Sequence, residues 1–157
     1  MNDQSRIRQL LLEQLSGRNA HVDFEKAVEK LSLSDLGVKP ENFPHTIWEL
    51  VEHIRIAQQD IVAFSQDPDY ESPAWPEGYW PESDKPSDRN KWEKSLEAVK
   101  RDHQEMVGLI KDEKNDLLAP LEHGDGQTLF REAMLIVDHN AYHIGQIVQM
   151  RKAMNIW

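Results

Sequence analysis

The longest stretch with helical periodicity lies in the C-terminal part of the chain, from Gln127 to Ile156. Within it, His139 and His143 are four residues apart, so on a helix their side chains lie one turn apart on the same face. The side chains that share this side of the helical wheel are Leu135, Ile136, Gln146, Ile147 and Met150. The two imidazoles are therefore expected to point into a core, where both could present nitrogens to one metal ion.

The rest of the chain repeats the helical pattern and contains no stretch with competing strand alternation. Residues 3–15 and 24–31 read as one helix broken at residues 17–20, and further helices are predicted over 44–66 and 87–114. Thr46 and Glu49 have the spacing of a capping box, and Thr128 is placed to cap the last helix. The pattern predicts an all-α protein, a bundle of four main helices with the first one broken.

Two connections separate these helices. Residues 33–44 contain Gly37, Pro40 and Pro44 and are predicted to be a connector without helix. Residues 67–86 form a long proline- and aromatic-rich loop between the second and third main helices; its aromatic residues are Tyr70, Trp75, Tyr79 and Trp80. Long loops in compact domains are usually functional or disordered, and the aromatic content favours a loop that packs against the bundle. We expect these rings to line the entrance for a substrate.

Composition limits the possible functions. A chain of 157 residues is most simply a single domain, 1–157. The formal net charge of −10 argues against nucleic acid and against anionic membrane surfaces as partners. No window approaches the ~20 apolar residues of a membrane span, and no secretory signal is recognisable, so a cytoplasmic location is expected. The chain contains no cysteine, which excludes disulfides, thiolate metal ligands and a cysteine nucleophile.

A third histidine, His53, shares a face of the helix over 44–66 with Leu50, Ala57 and Phe64. Burying an imidazole without a partner costs about 1–3 kcal/mol, and one shared metal removes much of that cost for all three histidines. His53, His139 and His143 are therefore the predicted ligands of a divalent metal ion. Three nitrogens leave positions for water or substrate, as in catalytic sites. Imidazole suits zinc, nickel, copper and iron alike, so the identity of the metal stays open.

Other polar residues are weaker candidates. His103 interrupts the apolar stripe of the helix over 87–114. It could be a fourth metal ligand, a residue that hydrogen-bonds to a ligand, or a base, and a core histidine is an equally good interpretation. Glu49 and Asp60 lie near the face of His53 and could accept an imidazole N–H or handle protons, although surface carboxylates are the commoner explanation. His21, His45 and His123 fall near breaks or helix starts and are read as surface or capping residues; His21 is the one that could line a pocket.

Three segments carry a family resemblance: FPHTIWELVEHI over 43–54, DHNAYHIGQ over 138–146 and RKAMNIW over 151–157. In order and spacing the chain resembles, over nearly its whole length, the DinB/YfiT-like superfamily of metal-dependent four-helix bundle proteins. The family's metal triad matches His53, His139 and His143. The resemblance further implies a divalent ion such as nickel or zinc, a homodimer, and an activity like that of thiol-dependent transferases that use mycothiol or bacillithiol, or of related maleylpyruvate isomerases.

Two functional hypotheses follow. In the first, the metal binds a low-molecular-weight thiol, lowers its pKa and delivers the thiolate to an electrophile, with hydrolysis as a variant; the partner is then a small-molecule substrate. In the second, the protein is not an enzyme, and the metal stabilises a stress-response binding or interaction module. Whether the chain is catalytic stays open at this point, as do its substrate and reaction.

Overall fold

The computed structural model describes residues 3–17 and 20–157, and the regular secondary structure of this part of the chain is helical. The α-helices are α1 (Asp3–Leu15), α2 (Phe24–Val28), α3 (Leu33–Leu36), α4 (Ile47–Gln66), α5 (Arg89–Lys111) and α6 (Leu129–Ala153), and a short 3₁₀ helix spans Glu77–Tyr79. The described residues contain no β-strand; their one β-bridge joins Pro120 to Thr128. The prediction of an all-α bundle whose first helix is broken is confirmed. Residues 18 and 19 of the predicted break lie outside the described residues.

The helices begin where the sequence offers side-chain caps. The Thr46 hydroxyl accepts a hydrogen bond from the backbone N–H of Glu49, and the Glu49 carboxylate accepts one from the N–H of Thr46, which confirms the predicted capping box. Thr128 caps α6 in the predicted way, and Asp88 caps α5. These contacts satisfy backbone donors that the first turn of a helix leaves without partners.

The predicted connector over 33–44 differs from the structure in one respect, because it contains the short helix α3. Its start is a second capping box, in which the side chains of Ser32 and Asp35 each accept a bond from the other's backbone N–H. The ends of the long helices differ from the prediction by a few residues. α6, for example, ends at Ala153, and Asn155 follows with a positive φ of 57°.

The four long helices pack so that α4 lies against both α5 and α6, and α1 lies against α5 and α6 from the other side. Helices α1 and α4 are therefore diagonal to each other, and α2 and α3 lie in the connection between them. Residues 67–88 connect the neighbouring helices α4 and α5. The contact between α4 and α6 matters for function, because these two helices carry the inward-facing histidines.

Apolar side chains from all four long helices fill two adjoining parts of the core. One is built around Trp48, Trp92 and Ile147, and the other around Ile61, Met106 and Ile136; all six are nearly or fully buried. Within the described residues, no helix is both long enough and apolar enough to span a membrane.

Candidate metal centre

Three histidines meet where α4 packs against α6. His53 is 5% exposed and His143 is 7% exposed, and His139 is half-buried. One ring nitrogen from each lies within 4.8 Å of those from the other two. The closest pair is Nε2 of His53 and Nε2 of His139, at 3.0 Å. The four-residue spacing on α6 and the inward face of α4 thus bring together the three residues that the sequence singled out.

In two of the three rings, the nitrogen that is not directed at the cluster, Nδ1, forms a hydrogen bond with an oxygen atom. Nδ1 of His53 lies 2.8 Å from the backbone carbonyl oxygen of Tyr79, and Nδ1 of His143 lies 2.7 Å from Oε1 of Gln146. A carbonyl oxygen can only accept, so each Nδ1 carries the hydrogen and each Nε2 keeps its lone pair. Such partners set the tautomer and ring orientation of histidine ligands in metal sites.

The surroundings keep all three imidazoles neutral. Burial, together with smaller contributions from the neighbouring His143 and His53, lowers the pKa of His139 from its ordinary value of 6.5 to about 4. Burial is also the main cause that lowers the pKa of His53 and of His143, while their bonds to Tyr79 and Gln146 oppose it in part. Because only neutral imidazole binds a metal, the cluster is in the ligand form at neutral pH.

The donor atoms of the cluster suit a divalent transition metal ion. Three uncharged nitrogens converge, two of them in a fixed tautomer, and no carboxylate or thiolate belongs to the cluster. A donor set of imidazoles fits a divalent transition metal and does not fit magnesium or calcium, which prefer oxygen. The cluster could therefore hold one such ion, with three protein ligands and room for ligands from solution.

The loop over residues 67–88 closes one side of this cluster. The indole of Trp80 stacks on the imidazole of His53, with ring centroids 4.0 Å apart and planes 2° apart. Tyr79, whose carbonyl oxygen binds His53, also donates its hydroxyl to Asp60 at 2.7 Å, and its ring meets that of Trp75 at 5.3 Å between centroids. The loop therefore packs against the bundle beside the three histidines.

His45, predicted to be a surface or capping residue, also belongs to this region. It stacks on the other face of Trp80, with centroids 4.1 Å apart, so that the indole lies between two imidazoles. His45 is one of the neighbours that lower the pKa of His53 and of His143. Helical spacing does not reveal this placement, because His45 precedes Thr46, the cap of α4, and its partner Trp80 lies in the loop that follows the helix.

The weaker candidates lie in different places. Glu49 is engaged in the capping box, with Lys39 at 4.0 Å, and Asp60 accepts the Tyr79 hydroxyl. His103 is not part of the cluster; it contacts the backbone of Leu15 at the end of α1. Burial lowers the pKa of His103. Catalytic roles for these three residues stay predictions.

Two further histidines, at positions 21 and 123, were read as surface or capping residues. His21 is exposed, and its Nδ1 lies 2.8 Å from the carbonyl oxygen of Val22. Nε2 of His123 lies 2.6 Å from the carbonyl oxygen of Phe64. Neither belongs to the triad cluster.

The histidines lie in a part of the chain that matches a known protein family. A family model described as the DinB superfamily matches residues 18–147, a range that contains all three histidines. Comparison with curated proteins gave no match, and comparison with solved structures gave none either.

Proposed function

The chain belongs to the DinB superfamily, and we propose that it binds one divalent metal ion through His53, His139 and His143. The observation that carries this proposal is the convergence of one nitrogen from each of the three rings within 4.8 Å. Nickel and zinc are the ions to test first, since both accept imidazole nitrogen. We further propose that the bound ion serves a transfer reaction on a small molecule.

A bound divalent cation would supply positive charge that lowers the pKa of a coordinating thiol. The chain itself orients the metal-binding imidazoles and shields one of them from water. The carbonyl of Tyr79 and the amide of Gln146 hold two of the imidazoles with their lone pairs inward. Trp80 covers one face of His53 and keeps water from it. The ligands therefore need little rearrangement when the ion binds.

A low-molecular-weight thiol is the proposed nucleophile, since the chain has no cysteine of its own. Tyr142, which is 65% exposed and meets the His143 ring edge-on at 4.9 Å, is positioned to contact a molecule that arrives from solution. Of the candidate proton-handling groups, Asp60 is linked to the cluster through Tyr79, whose hydroxyl donates to Asp60 and whose carbonyl oxygen accepts from His53. One oxygen of Asp60, Oδ1, is buried without a partner among the described residues.

Metal binding is tested by calorimetric titration of the metal-free protein with nickel and with zinc. We expect one ion per chain, and loss of binding in both His53→Ala and His139→Ala. His21→Ala, which removes an exposed histidine outside the cluster, is the matched control and should bind as the wild type does. Far-UV circular dichroism checks that each variant is folded. Unchanged affinity in a folded His139→Ala variant would contradict histidine ligation.

The proposed activity is tested with the metal-loaded protein, a set of small thiols including mycothiol and bacillithiol, and a fluorogenic electrophile such as monobromobimane. Turnover that disappears in folded His139→Ala and persists in His21→Ala supports a transferase. Metal binding without turnover on any thiol, together with unfolding when the metal is removed, supports instead a non-catalytic module that the metal stabilises.

A further inference from the structure

A cavity of about 850 Å³ lies among α1, α2, α5 and α6, apart from the metal centre. Among the described residues, its lining includes none of the three histidines. Its floor is formed by Gln58 and Asn140, whose side chains are joined by a hydrogen bond of 2.8 Å from Nδ2 of Asn140 to Oε1 of Gln58. Asn140 follows His139 in sequence, and its side chain contacts the His139 imidazole.

The size of the cavity argues for an occupant. The cavity is a deep cleft that opens to solvent, since exposed side chains such as Glu25 and Lys100 line its rim. Cavities that bind small molecules typically measure about 300–1,000 Å³, and this one falls within that range. The cavity also reaches the middle of the bundle, because Gln58 and Ile136, each 1% exposed, line it. That depth fits a small molecule better than a segment of another protein.

The walls of the cavity are mainly apolar and come from several helices. They include Leu15, Val28, Leu96, Val107, Ile136 and Ile144. The charges at its rim have both signs, and Glu25 and Lys100 approach each other to 4.0 Å. A rim of mixed and partly paired charge does not favour an ionic ligand of either sign. The lining therefore complements an uncharged molecule with an apolar body.

His103 supplies the polar contact. It lines the cavity beside the backbone of Leu15. Burial lowers the pKa of His103, and a neutral imidazole keeps one ring nitrogen as an acceptor. A hydroxyl or N–H group on the ligand would donate to it.

We propose that this cavity is a second binding site, which takes an uncharged amphipathic molecule with an apolar body and a hydroxyl or N–H group that donates to His103. The site is separate from the proposed metal centre. The side chain of Asn140, at its floor, contacts His139, the neighbouring residue of the cluster.

Binding is measured with N-phenylnaphthylamine, a neutral probe with an N–H group whose fluorescence rises in apolar surroundings. We expect saturable binding of one probe per chain, with displacement by decanol and at least tenfold weaker displacement by decanoate. Ala141→Phe places a ring in the cavity and should weaken binding at least tenfold. Ala153→Phe adds the same ring at an exposed position on the same helix and should change binding less than twofold.

Val107→Trp fills the cavity from α5 and replaces Ala141→Phe if that variant does not fold. His103→Leu should weaken displacement by decanol about fivefold, while His103→Gln, which keeps an acceptor, should restore most of it. Probe binding should survive in His139→Ala, so failure of the metal proposal would leave this result intact. Non-saturable binding, equal effects of Ala141→Phe and Ala153→Phe, equal displacement by decanoate, or dimerisation that excludes the probe would each overturn the proposal.

Discussion

The lowered pKa of His139 makes a quantitative prediction about the metal-free protein. In the folded state this pKa is about 4, whereas the ordinary value is 6.5. Between these two values the unfolded chain binds more protons at this residue than the folded chain does. The free energy of unfolding therefore falls as the pH drops from 7 towards 4. For a single group with these two values, the loss between pH 7 and pH 5 is about 2 kcal/mol, and partial exposure of the ring reduces it to about 1–2 kcal/mol.

The assay is urea unfolding of the EDTA-treated protein at pH 7 and at pH 5, compared with His139→Gln, which cannot titrate in this range. Protonation of carboxylates between pH 7 and pH 5 changes the stability of both proteins by similar amounts, so this contribution largely cancels in the difference between them. We expect the stability of the wild type relative to His139→Gln to fall by about 1–2 kcal/mol on acidification. His21→Gln removes an exposed histidine and should show a much smaller change. If the difference between wild type and His139→Gln is the same at both pH values, the burial argument for the cluster is wrong.

Three further substitutions test contacts outside the ligand set. Arg151→Gln removes the charged hydrogen bonds from Arg151 to the carbonyl oxygens of Ala27 and Ile156, and should lower the free energy of unfolding in urea by about 2–3 kcal/mol. Thr46→Ala removes the cap of α4 and should cost about 1–2 kcal/mol in the same assay, while Thr46→Ser should retain most of the stability. Tyr79→Phe removes the hydroxyl bond to Asp60; it should cost about 1 kcal/mol in thermal unfolding and weaken calorimetric metal affinity by up to ~10-fold.

The long helices could be predicted because their signals are local. Apolar spacing and capping residues act within a few positions of the chain, and the Thr46–Glu49 box and the Thr128 cap appear in the structure as expected. The short helix α3 carried the same kind of signal, with Asp35 three residues after Ser32. Gly37, Pro40 and Pro44 follow within a few residues, and such helix breakers predict a connector and hide a helix of a single turn.

The histidine cluster could be predicted in part, since wheel geometry shows which side chains face inward and family spacing supports the same residues. The groups that surround the cluster could not be predicted from the sequence. The partner of His53 is a backbone carbonyl, and every residue type has one, so the sequence does not indicate which residue supplies it. The stacking of His45 on Trp80 joins residues far apart in sequence, and the cavity beside Asn140 depends on how helices from the whole chain pack.

The loop is fixed to the helix that carries His53, because Tyr79 bonds to α4 at two points. Its carbonyl oxygen binds His53 and its hydroxyl binds Asp60, which lies seven residues further along the same helix. Residues seven apart share a helix face, so the two bonds hold the loop along about two turns of α4. Trp80, the next residue, is thereby placed flat against the imidazole of His53. A ligand that displaced the loop would free the His53 ring at the same time, so the position of the loop and the orientation of this candidate metal ligand depend on the same contacts.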